Sequence, residues 1–216
     1  MGTRFYLVRH GESLGNMVRR FLGHTDLDLS PLGYTQADLC AEALSDVHFD
    51  YIYSSDLIRA YNTALPHAKL RNMEIITSES LREIFVGRWE GKSVEEILAT
   101  DEDLFINGWR RNFGLTTPPE GESVLAGGHR FLNELRRIAL SHPDSVILVN
   151  SHAAVIRSFW SIIMGLQPSE FAEGLHFAGN ASFSIVDFEN DKFTPIEYSN
   201  SQHLGDLATY VDERIK

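Results

Sequence analysis

The side chains best suited to chemistry in this sequence are two histidines, two arginines and one glutamate. They lie near the ends of predicted strands, and they are Arg9, His10, Arg59, Glu83 and His152. His10 follows the apolar run Phe5–Val8 and His152 follows Val146–Val149. Because the carboxyl ends of parallel strands meet at one edge of a sheet, these groups could share a site. Arginines bind the oxygens of anions such as phosphate, whereas histidine and glutamate transfer protons.

The elements that must position these side chains alternate along the chain. Short apolar runs and longer helical patterns follow one another, which predicts βα units around a largely parallel sheet. Asn190 and Asp191 are favourable turn residues for a hairpin near the C-terminal end. The predicted strands are Phe5–Val8, Tyr51–Tyr53, Glu74–Thr77, Ser145–Val149, Phe183–Phe188 and Phe193–Tyr198.

Helix start signals precede the apolar residues of several predicted helices. Ser30 is a good N-cap, and Pro31 suits the first position of the helix that follows. Ser55 and Asp56 are the predicted caps of a second helix. Further helices are expected over residues 121–140 and 153–164, and a short last helix near residues 207–215.

The stretch 84–120 interrupts the alternation of strands and helices. It contains helical patterns at Val94–Leu98 and Leu104–Trp109 with glycines between them, and Pro118 and Pro119 close it. We interpret this stretch as a helical and loop insertion over the active site. The expected fold is α/β, with three αβα layers and a mostly parallel central sheet in a single domain over residues 1–216.

Composition limits the classes of partner. The 216 residues are 43% hydrophobic and 23% charged, which is typical of a globular protein rather than a disordered one. The formal net charge of −11 argues against nucleic acid and against an anionic membrane as partners. A few clustered cations can still form a local pocket for an anionic ligand.

Cysteine content and the N-terminal sequence indicate a location. Cys40 is the single cysteine, so it forms no internal disulfide, which fits a reducing compartment. The first apolar run is far too short for a signal peptide. No apolar stretch approaches the ~20 residues that span a bilayer. We therefore expect a soluble, cytoplasmic protein.

The ordered motifs of the chain resemble those of the histidine phosphatase superfamily, also called phosphoglycerate-mutase-like. The nucleophile motif of that family is similar to Leu7–Ser13 (LVRHGES) followed by Asn16. The resemblance extends from residue 5 to about 190. Although RHG alone would be a weak signal, several motifs in order are specific. The later matches are Arg20, Phe21, Gly23, Asp26, Leu29, Leu32, Gly33, Gln36, Ala37, Ser54–Leu57, Arg59, Ala60, Thr63, Ala64, Leu81, Glu83, Gly87, Trp89–Gly91, Pro119, Gly121–Ser123, Ser151, His152, Ile156, Arg157, Asn180 and Ser182.

The resemblance implies a role for each group. His10 would be the nucleophile, with one ring nitrogen attacking phosphorus and the other fixed by a backbone carbonyl. The neutral imidazole that attack requires is accessible near neutrality, because the ordinary pKa of histidine is about 6.5. Glu83 would protonate the leaving alkoxide and later activate water. Arg9, Arg59 and His152 complete the catalytic set, and the substrate-binding groups are Arg9, Asn16, Gly23, Arg59 and Ala153.

Other residues in and near these motifs are expected to have structural rather than catalytic roles. Arg20 is expected to hold a loop, and Arg157 to be a supporting or surface residue. Trp89 and Glu90 are expected to brace a loop. The other histidines lack metal-ligand spacing, so we expect neither a metal nor a cofactor.

Three departures from the family pattern are present, and the last of them favours a phosphatase over a mutase. Ala153 and Ala154 follow His152 where many members have glycine, and Leu22 replaces a polar residue. Ile84–Val86 stands where the mutases hold a second anionic group. We therefore predict a metal-independent phosphomonoesterase that acts on a small phosphorylated metabolite through a phosphohistidine.

Two alternatives remain open from the sequence. Arg110 and Arg111 could supply the missing anion contacts of a cofactor-dependent phosphoglycerate mutase. A non-catalytic phosphate-binding relative is the other alternative. The oligomeric state is undetermined, and a homodimer is one option.

Overall fold

The computed structural model describes residues 2–210, in which six strands form one sheet. Each predicted strand is present, with ends that differ by up to two residues. The strands are β1 (Thr3–Arg9), β2 (Tyr51–Ser54), β3 (Ile75–Thr77), β4 (Val146–Ser151), β5 (Phe183–Glu189) and β6 (Lys192–Asn200). Their spatial order is β3-β2-β4-β1-β5-β6. Strands β1 to β4 are parallel, and β5 and β6 form the antiparallel hairpin, so the prediction of a mostly parallel sheet is confirmed.

Helices cover both faces of this sheet. Phe5 and Leu7 of β1 belong to a hydrophobic cluster that includes Phe131 and Phe159. Val8 points to the opposite face, where its cluster includes Cys40. The three-layer αβα architecture is therefore confirmed. The helices are α1 (Leu14–Met17), α2 (Pro31–Ala43), α3 (Ile58–Arg71), α4 (Val94–Asp103), α5 (Val124–Ser141), α6 (Ala153–Ile163) and α7 (Phe171–Gly174).

The start of α2 agrees with its sequence signals, whereas the start of α3 does not. The Ser30 hydroxyl accepts a hydrogen bond from the Gly33 N–H at 3.0 Å, with Pro31 at the first helical position. The predicted capping of the second helix by Ser55 and Asp56 is wrong, because α3 begins only at Ile58.

The first N–H of α3 is satisfied from a distant loop. The Ile58 N–H donates to Asp26 Oδ1 at 2.8 Å. The Asp56 carboxylate instead pairs with Arg82, whose Nε lies 2.8 Å from Asp56 Oδ1. Sequence-local signals cannot reveal a cap that lies 32 residues away.

The segment 84–120 is helical but irregular. Ser93 and Glu96 form a capping box at the start of α4, and Asp101 departs from helical geometry within it. A π-helix, Leu104–Arg110, follows α4. The buried rings of the segment belong to the same hydrophobic cluster as the sheet and helices α5 and α6, and those rings are Trp89, Phe105, Trp109 and Phe113.

The chain's last described elements return to the sheet. Asn190 and Asp191 both have positive φ, which is typical of the type I′ turn in a two-residue hairpin. A 3-10 segment, Gln202–Leu207, follows β6. The predicted last helix near residues 207–215 falls mostly outside the described residues. Within residues 2–210, no helix combines the length and apolar character that crossing a membrane requires.

Candidate active site

A cavity lies at the carboxyl end of β1 and the start of α6. Most of the predicted site residues line it. Those residues are Arg9, His10, Asn16, Gly23, Arg59, Glu83 and Ala153. The structure thus brings together side chains that are separated by up to 144 residues of sequence, because parallel strands end at the same edge of the sheet.

His10 is held in one orientation by its own loop. Its Nδ1 lies 2.7 Å from the carbonyl oxygen of Gly11. If Nδ1 carries the proton and donates to this carbonyl, Nε2 is left with a lone pair. Burial, together with the charges of Arg59 and Arg9, holds the pKa of His10 well below its ordinary value. The imidazole is therefore neutral at physiological pH, as a nucleophile must be.

Two buried guanidiniums lie beside this imidazole. Arg9 donates to the carbonyl of Ala178 at 2.6 Å, and Arg59 donates to the carbonyls of Gly23 and Thr25 at 2.7 and 2.9 Å. These partners carry no net charge, so the positive charge of each arginine is retained. Burial lowers the pKa of each to about 10, and both remain cationic at neutral pH. The Nε of each is buried and has no hydrogen-bond partner within the described part of the chain, which suits an incoming anion.

Glu83 is oriented by backbone groups at the start of α6. Its Oε1 accepts hydrogen bonds from the N–H groups of Ile84 and Val155, both at 2.9 Å. Its Oε2 accepts one from the Ala154 N–H at 3.0 Å. A helix N-terminus attracts negative charge, so α6 fixes this carboxylate at the edge of the cavity. Ala153, at the first position of the same helix, lines the cavity.

His152 lies next to His10 but behind the cavity surface. Their ring centres are 5.2 Å apart. His152 is fully buried, and among the described residues neither of its ring nitrogens has a hydrogen-bond partner. Burial and the charge of Arg59 hold its pKa well below the ordinary value. A buried imidazole without a partner is unfavourable, so a group that reached it from the cavity would be stabilised.

Asn16 is arranged as a donor to the cavity. Its Oδ1 accepts hydrogen bonds from the N–H and the hydroxyl of Ser13, at 3.1 and 3.0 Å. The amide N–H₂ of Asn16 is therefore the end of the side chain that can bind a ligand oxygen. Gly23 has a φ of +51°, and a Cβ there would approach Glu90 Oε1 to 2.5 Å. Only glycine fits this position of the cavity wall.

Arg20 holds a loop and also lines the cavity, and only the first of these was predicted from the sequence. It holds a loop, as expected, since its Nη1 donates to the carbonyl of Gly91 and to Glu96 Oε2. The structure also places it in the cavity wall. Unlike Arg9 and Arg59, Arg20 is paired with a carboxylate, which offsets its charge.

Arg157 is a buried support rather than a surface residue. It donates to the carbonyls of Phe171 and Ala172 at 3.0 and 2.7 Å. Its guanidinium also lies over the rings of Phe113 and Phe177, at 4.6 and 4.3 Å. Arg157 therefore connects α6 to the segment that carries Phe177.

Glu90 braces a loop, as predicted. Its carboxylate accepts hydrogen bonds from the His24 N–H at 2.6 Å and from the Thr25 hydroxyl at 2.8 Å. Trp89 is fully buried, and its indole N–H donates to Asp101 at 3.2 Å. Neither side chain lies among those that line the cavity.

The rest of the cavity surface is apolar and consists of Ala154 and six larger side chains. We call these six the apolar wall: Phe21, Leu22, Ile84, Val86, Trp109 and Phe177. Trp109 and Phe177 were not predicted to belong to the site. The helical pattern that ends at Trp109, in an insertion expected over the site, was a usable signal. Phe177 follows no motif and reaches the site only through tertiary packing.

Other candidates for binding are not in the cavity. Arg110 and Arg111, which could have held a second anion, are not among the residues that line it. Within residues 2–210, no group of three or more histidine, cysteine, aspartate or glutamate side chains is placed to hold a metal ion.

Known proteins of similar sequence and structure carry related activities in their names. The chain is 34% identical over 210 residues to phosphoserine phosphatase 1 of Hydrogenobacter thermophilus, covering 97% of both chains. It is 31% identical over 212 residues to a probable phosphoglycerate mutase of Proteus mirabilis, covering 94% of this chain and 95% of that protein. A mycobacterial glucosyl-3-phosphoglycerate phosphatase superposes with a TM-score of 0.84 and 27% identity, over 93% of this chain and 100% of that structure. The family model of the histidine phosphatase superfamily (branch 1) matches residues 5–201, and the chain belongs to that family.

Proposed function

We propose that this protein is a metal-independent phosphomonoesterase that hydrolyses a small phosphorylated metabolite through a phosphohistidine at His10. The observation that carries the proposal is the neutral, oriented His10 imidazole beside two buried guanidiniums, which donate to backbone carbonyls and pair directly with no carboxylate among residues 2–210. Glu83 lines the same cavity and can act as the proton donor.

The guanidiniums of Arg9 and Arg59 supply the charge that phosphoryl transfer needs. The transferred group spreads negative charge over its equatorial oxygens, so catalysis depends on fixed positive charge and positioning. Planar guanidiniums bind two phosphate oxygens at once. Asn16 and the Ala153 N–H add neutral donors at the same cavity. In this proposal these groups take the place that a metal ion has in other phosphatases.

The reaction proceeds in two displacements at phosphorus. His10 Nε2 forms a bond to phosphorus as the bond to the ester oxygen breaks, and Glu83 gives its proton to the leaving alkoxide. Water then attacks phosphohistidine, Glu83 takes a proton from it, and His10 leaves as a neutral imidazole. The products are an alcohol and inorganic phosphate.

The apolar wall favours hydrolysis over transfer to a second phosphorylated acid. A mutase must hold a further anionic group of its substrate. Besides Arg9 and Arg59, the cavity lining contains Arg20, which is already paired with Glu96. Ile84 and Val86 of the apolar wall carry no charge. We therefore favour a substrate with one phosphate on an uncharged alcohol. Similarity to a probable phosphoglycerate mutase makes the mutase the second candidate.

A panel of phosphomonoesters tests the proposal. Purified enzyme with excess chelator is assayed for phosphate release from aryl phosphates, sugar phosphates, phosphoserine and 3-phosphoglycerate. A His10→Ala preparation made in parallel serves as the control for contaminating phosphatases. We expect release that depends on His10 and that falls less than about tenfold on chelation, since tenfold corresponds to ~1.4 kcal/mol of barrier.

Two results would replace this proposal. Interconversion of 2- and 3-phosphoglycerate in the presence of the bisphosphate, without net phosphate release, would identify a mutase. Binding of inorganic phosphate without turnover of any ester would identify a phosphate-binding protein that is not an enzyme.

A further inference from the structure

We propose that the hydroxyl of Thr209, near the C-terminal end of the described chain, positions His10 and Asn16 for catalysis. The inference rests on the proposed function of the His10 site. It concerns three side chains that we call the clasp: Gln36, Asn180 and Thr209. None of the three lines the cavity, so the clasp would act through the residues that it holds.

Thr209 and Asn180 form a pair of hydrogen bonds. The Thr209 hydroxyl donates to Asn180 Oδ1 at 3.1 Å. The Asn180 N–H donates back to the Thr209 carbonyl at 2.9 Å. Since Asn180 is only 2% exposed, its side chain depends on protein partners rather than water.

Asn180 in turn holds two groups of the site. Its Nδ2 donates to the backbone carbonyl of His10 at 3.1 Å and to Asn16 Oδ1 at 3.3 Å. The His10 carbonyl also accepts the Ala181 N–H at 3.2 Å. The oxygen of Asn180 is fixed by Thr209, and this fixes the direction in which its amide N–H₂ points.

Gln36 holds the other side of the His10 loop. Its Oε1 accepts the Glu12 N–H at 2.8 Å. Its Nε2 donates to the Leu207 carbonyl at 2.7 Å and to the Thr209 hydroxyl at 2.9 Å. Gln36 is fully buried, and each of its amide groups has a partner.

The Thr209 hydroxyl therefore connects Gln36 and Asn180, the two side chains that hold the His10 loop. It accepts from Gln36 and donates to Asn180, and these side chains hold the backbone on either side of Gly11. Without the hydroxyl, the Asn180 oxygen would lose its donor and the amide could rotate. A shift of about 1 Å at a reacting group can cost ~10²-fold in rate. The nucleophile and the Asn16 donor would both be affected.

Substitutions at Thr209 test the inference in the full-length protein. Thr209→Val keeps the shape of the side chain and removes the hydroxyl, whereas Thr209→Ser keeps the hydroxyl. Tyr210→Phe is the matched control, since it removes a contact to the Ser201 hydroxyl and leaves the Thr209 hydroxyl in place. Thr209 is partly exposed, so the substitutions are compatible with folding.

Four quantities are measured for each protein: kcat and KM with an aryl phosphate, and the inhibition constants of orthovanadate and of inorganic phosphate. Vanadate forms a trigonal-bipyramidal adduct that mimics the transition state, so its affinity reports the placement of His10. For Thr209→Val we expect kcat to fall about tenfold or more and the vanadate constant to rise by a similar factor. The phosphate constant should change less than threefold. Thr209→Ser and Tyr210→Phe should stay within about twofold of wild type.

The outcomes separate this inference from the proposed function. If wild-type enzyme hydrolyses esters but Thr209→Val keeps wild-type kcat and vanadate affinity, the clasp has no positioning role. A lower kcat with unchanged inhibition constants would indicate a smaller folded fraction and would also overturn the inference. An equal loss in Thr209→Ser would assign the effect to packing rather than to the hydroxyl. A wild-type protein without phosphatase activity that binds vanadate and phosphate equally would instead overturn the proposed function.

Discussion

Glu83 is the residue whose proposed role depends most on its surroundings. Three backbone N–H groups hold its carboxylate at the start of α6, so its position is fixed while its chemistry can be changed. Glu83→Gln keeps the size of the side chain but cannot deliver a proton. We expect the variant to hydrolyse alkyl phosphates ~10²–10⁴-fold more slowly, the usual range for general acid catalysis. Phosphorylation by p-nitrophenyl phosphate should slow much less, because that leaving group does not need the proton.

Rapid-quench kinetics of the Glu83→Gln variant separate phosphorylation of His10 from hydrolysis of the phosphohistidine. The aryl substrate should give a fast burst followed by a slow steady state, since hydrolysis of phosphohistidine also loses its base. The inhibition constant of inorganic phosphate is the control for damage to binding. An equal loss in the burst phase for aryl and alkyl substrates would show that Glu83 shapes the site and is not the acid.

Single residues also show how far the sequence could predict the site. Arg9, His10 and His152 were predictable because each directly follows or ends a strand whose carboxyl end must lie at one sheet edge. The contacts of Glu83 were not, since two of its three partner N–H groups, those of Ala154 and Val155, lie more than 70 residues away at the start of α6. Phe177 was missed for the same reason, because its place depends on the aromatic packing around Arg157.

At the scale of elements, helix α2 packs unusually closely on the His10 loop. A Cβ added at Gly33 would lie 2.0 Å from the Glu12 carbonyl oxygen, and one at Gly11 would lie 2.4 Å from the Gly33 carbonyl oxygen. Alanine normally favours a helix over glycine by up to about 1 kcal/mol. Here Gly33→Ala must instead move the loop away from the helix.

We therefore expect Gly33→Ala to lower kcat by at least about tenfold while the circular dichroism spectrum stays native. Thr35→Ala, at an exposed position of the same helix, is the control and should keep wild-type activity. Wild-type kcat in Gly33→Ala would mean that the loop tolerates displacement, against the account of an oriented His10.

Elements differ in how well local sequence specifies them. The start of α2 and the β5–β6 turn were predictable, because Ser30, Pro31, Asn190 and Asp191 act on their own neighbours. The start of α3 was not, because its first N–H is bound by Asp26 from another loop. The change from α-helix to π-helix after Asp103 was not predicted either, because the apolar spacing of residues 104–109 is equally compatible with an α-helix.

At the scale of the whole molecule, buried histidines make the stability sensitive to acid. Burial lowers the pKa of His67 to about 3, and the ring has no hydrogen-bond partner among the described residues. Burial also lowers the pKa of His10, His152 and His203. Below pH ~6.5 the unfolded chain binds protons that the folded chain does not. The free energy of unfolding should therefore fall as the pH falls from about 7 towards 4.

His67→Leu tests this linkage away from the active site. A histidine that is neutral when folded and has an ordinary pKa when unfolded destabilises the protein by about 2 kcal/mol at pH 5 relative to pH 8. The free energy of unfolding is measured with urea at pH 5 and at pH 8 for both proteins. The loss between pH 8 and pH 5 should be about 2 kcal/mol smaller in the variant than in the wild type. The same pH effect in wild type and variant would contradict a neutral His67 in the folded state.

The architecture as a whole was predictable from the alternation of apolar runs and helical patterns. Continuous apolar runs such as Val146–Val149 indicate strands buried on both faces, and two helical layers must then cover the sheet. Which apolar side chains would form the cavity surface was not predictable in the same way. The apolar wall combines residues from four separate stretches of the chain, and only their packing in three dimensions determines its shape.

The covalent intermediate is the most direct test of the central proposal. The enzyme is mixed with ³²P-labelled aryl phosphate, quenched in alkaline denaturant within milliseconds, and digested for peptide mapping. We predict an acid-labile, base-stable label on His10 that His10→Ala lacks and that Glu83→Gln accumulates. Label on a serine, or full hydrolysis by the His10→Ala enzyme, would contradict the proposal that this protein acts through a phosphohistidine.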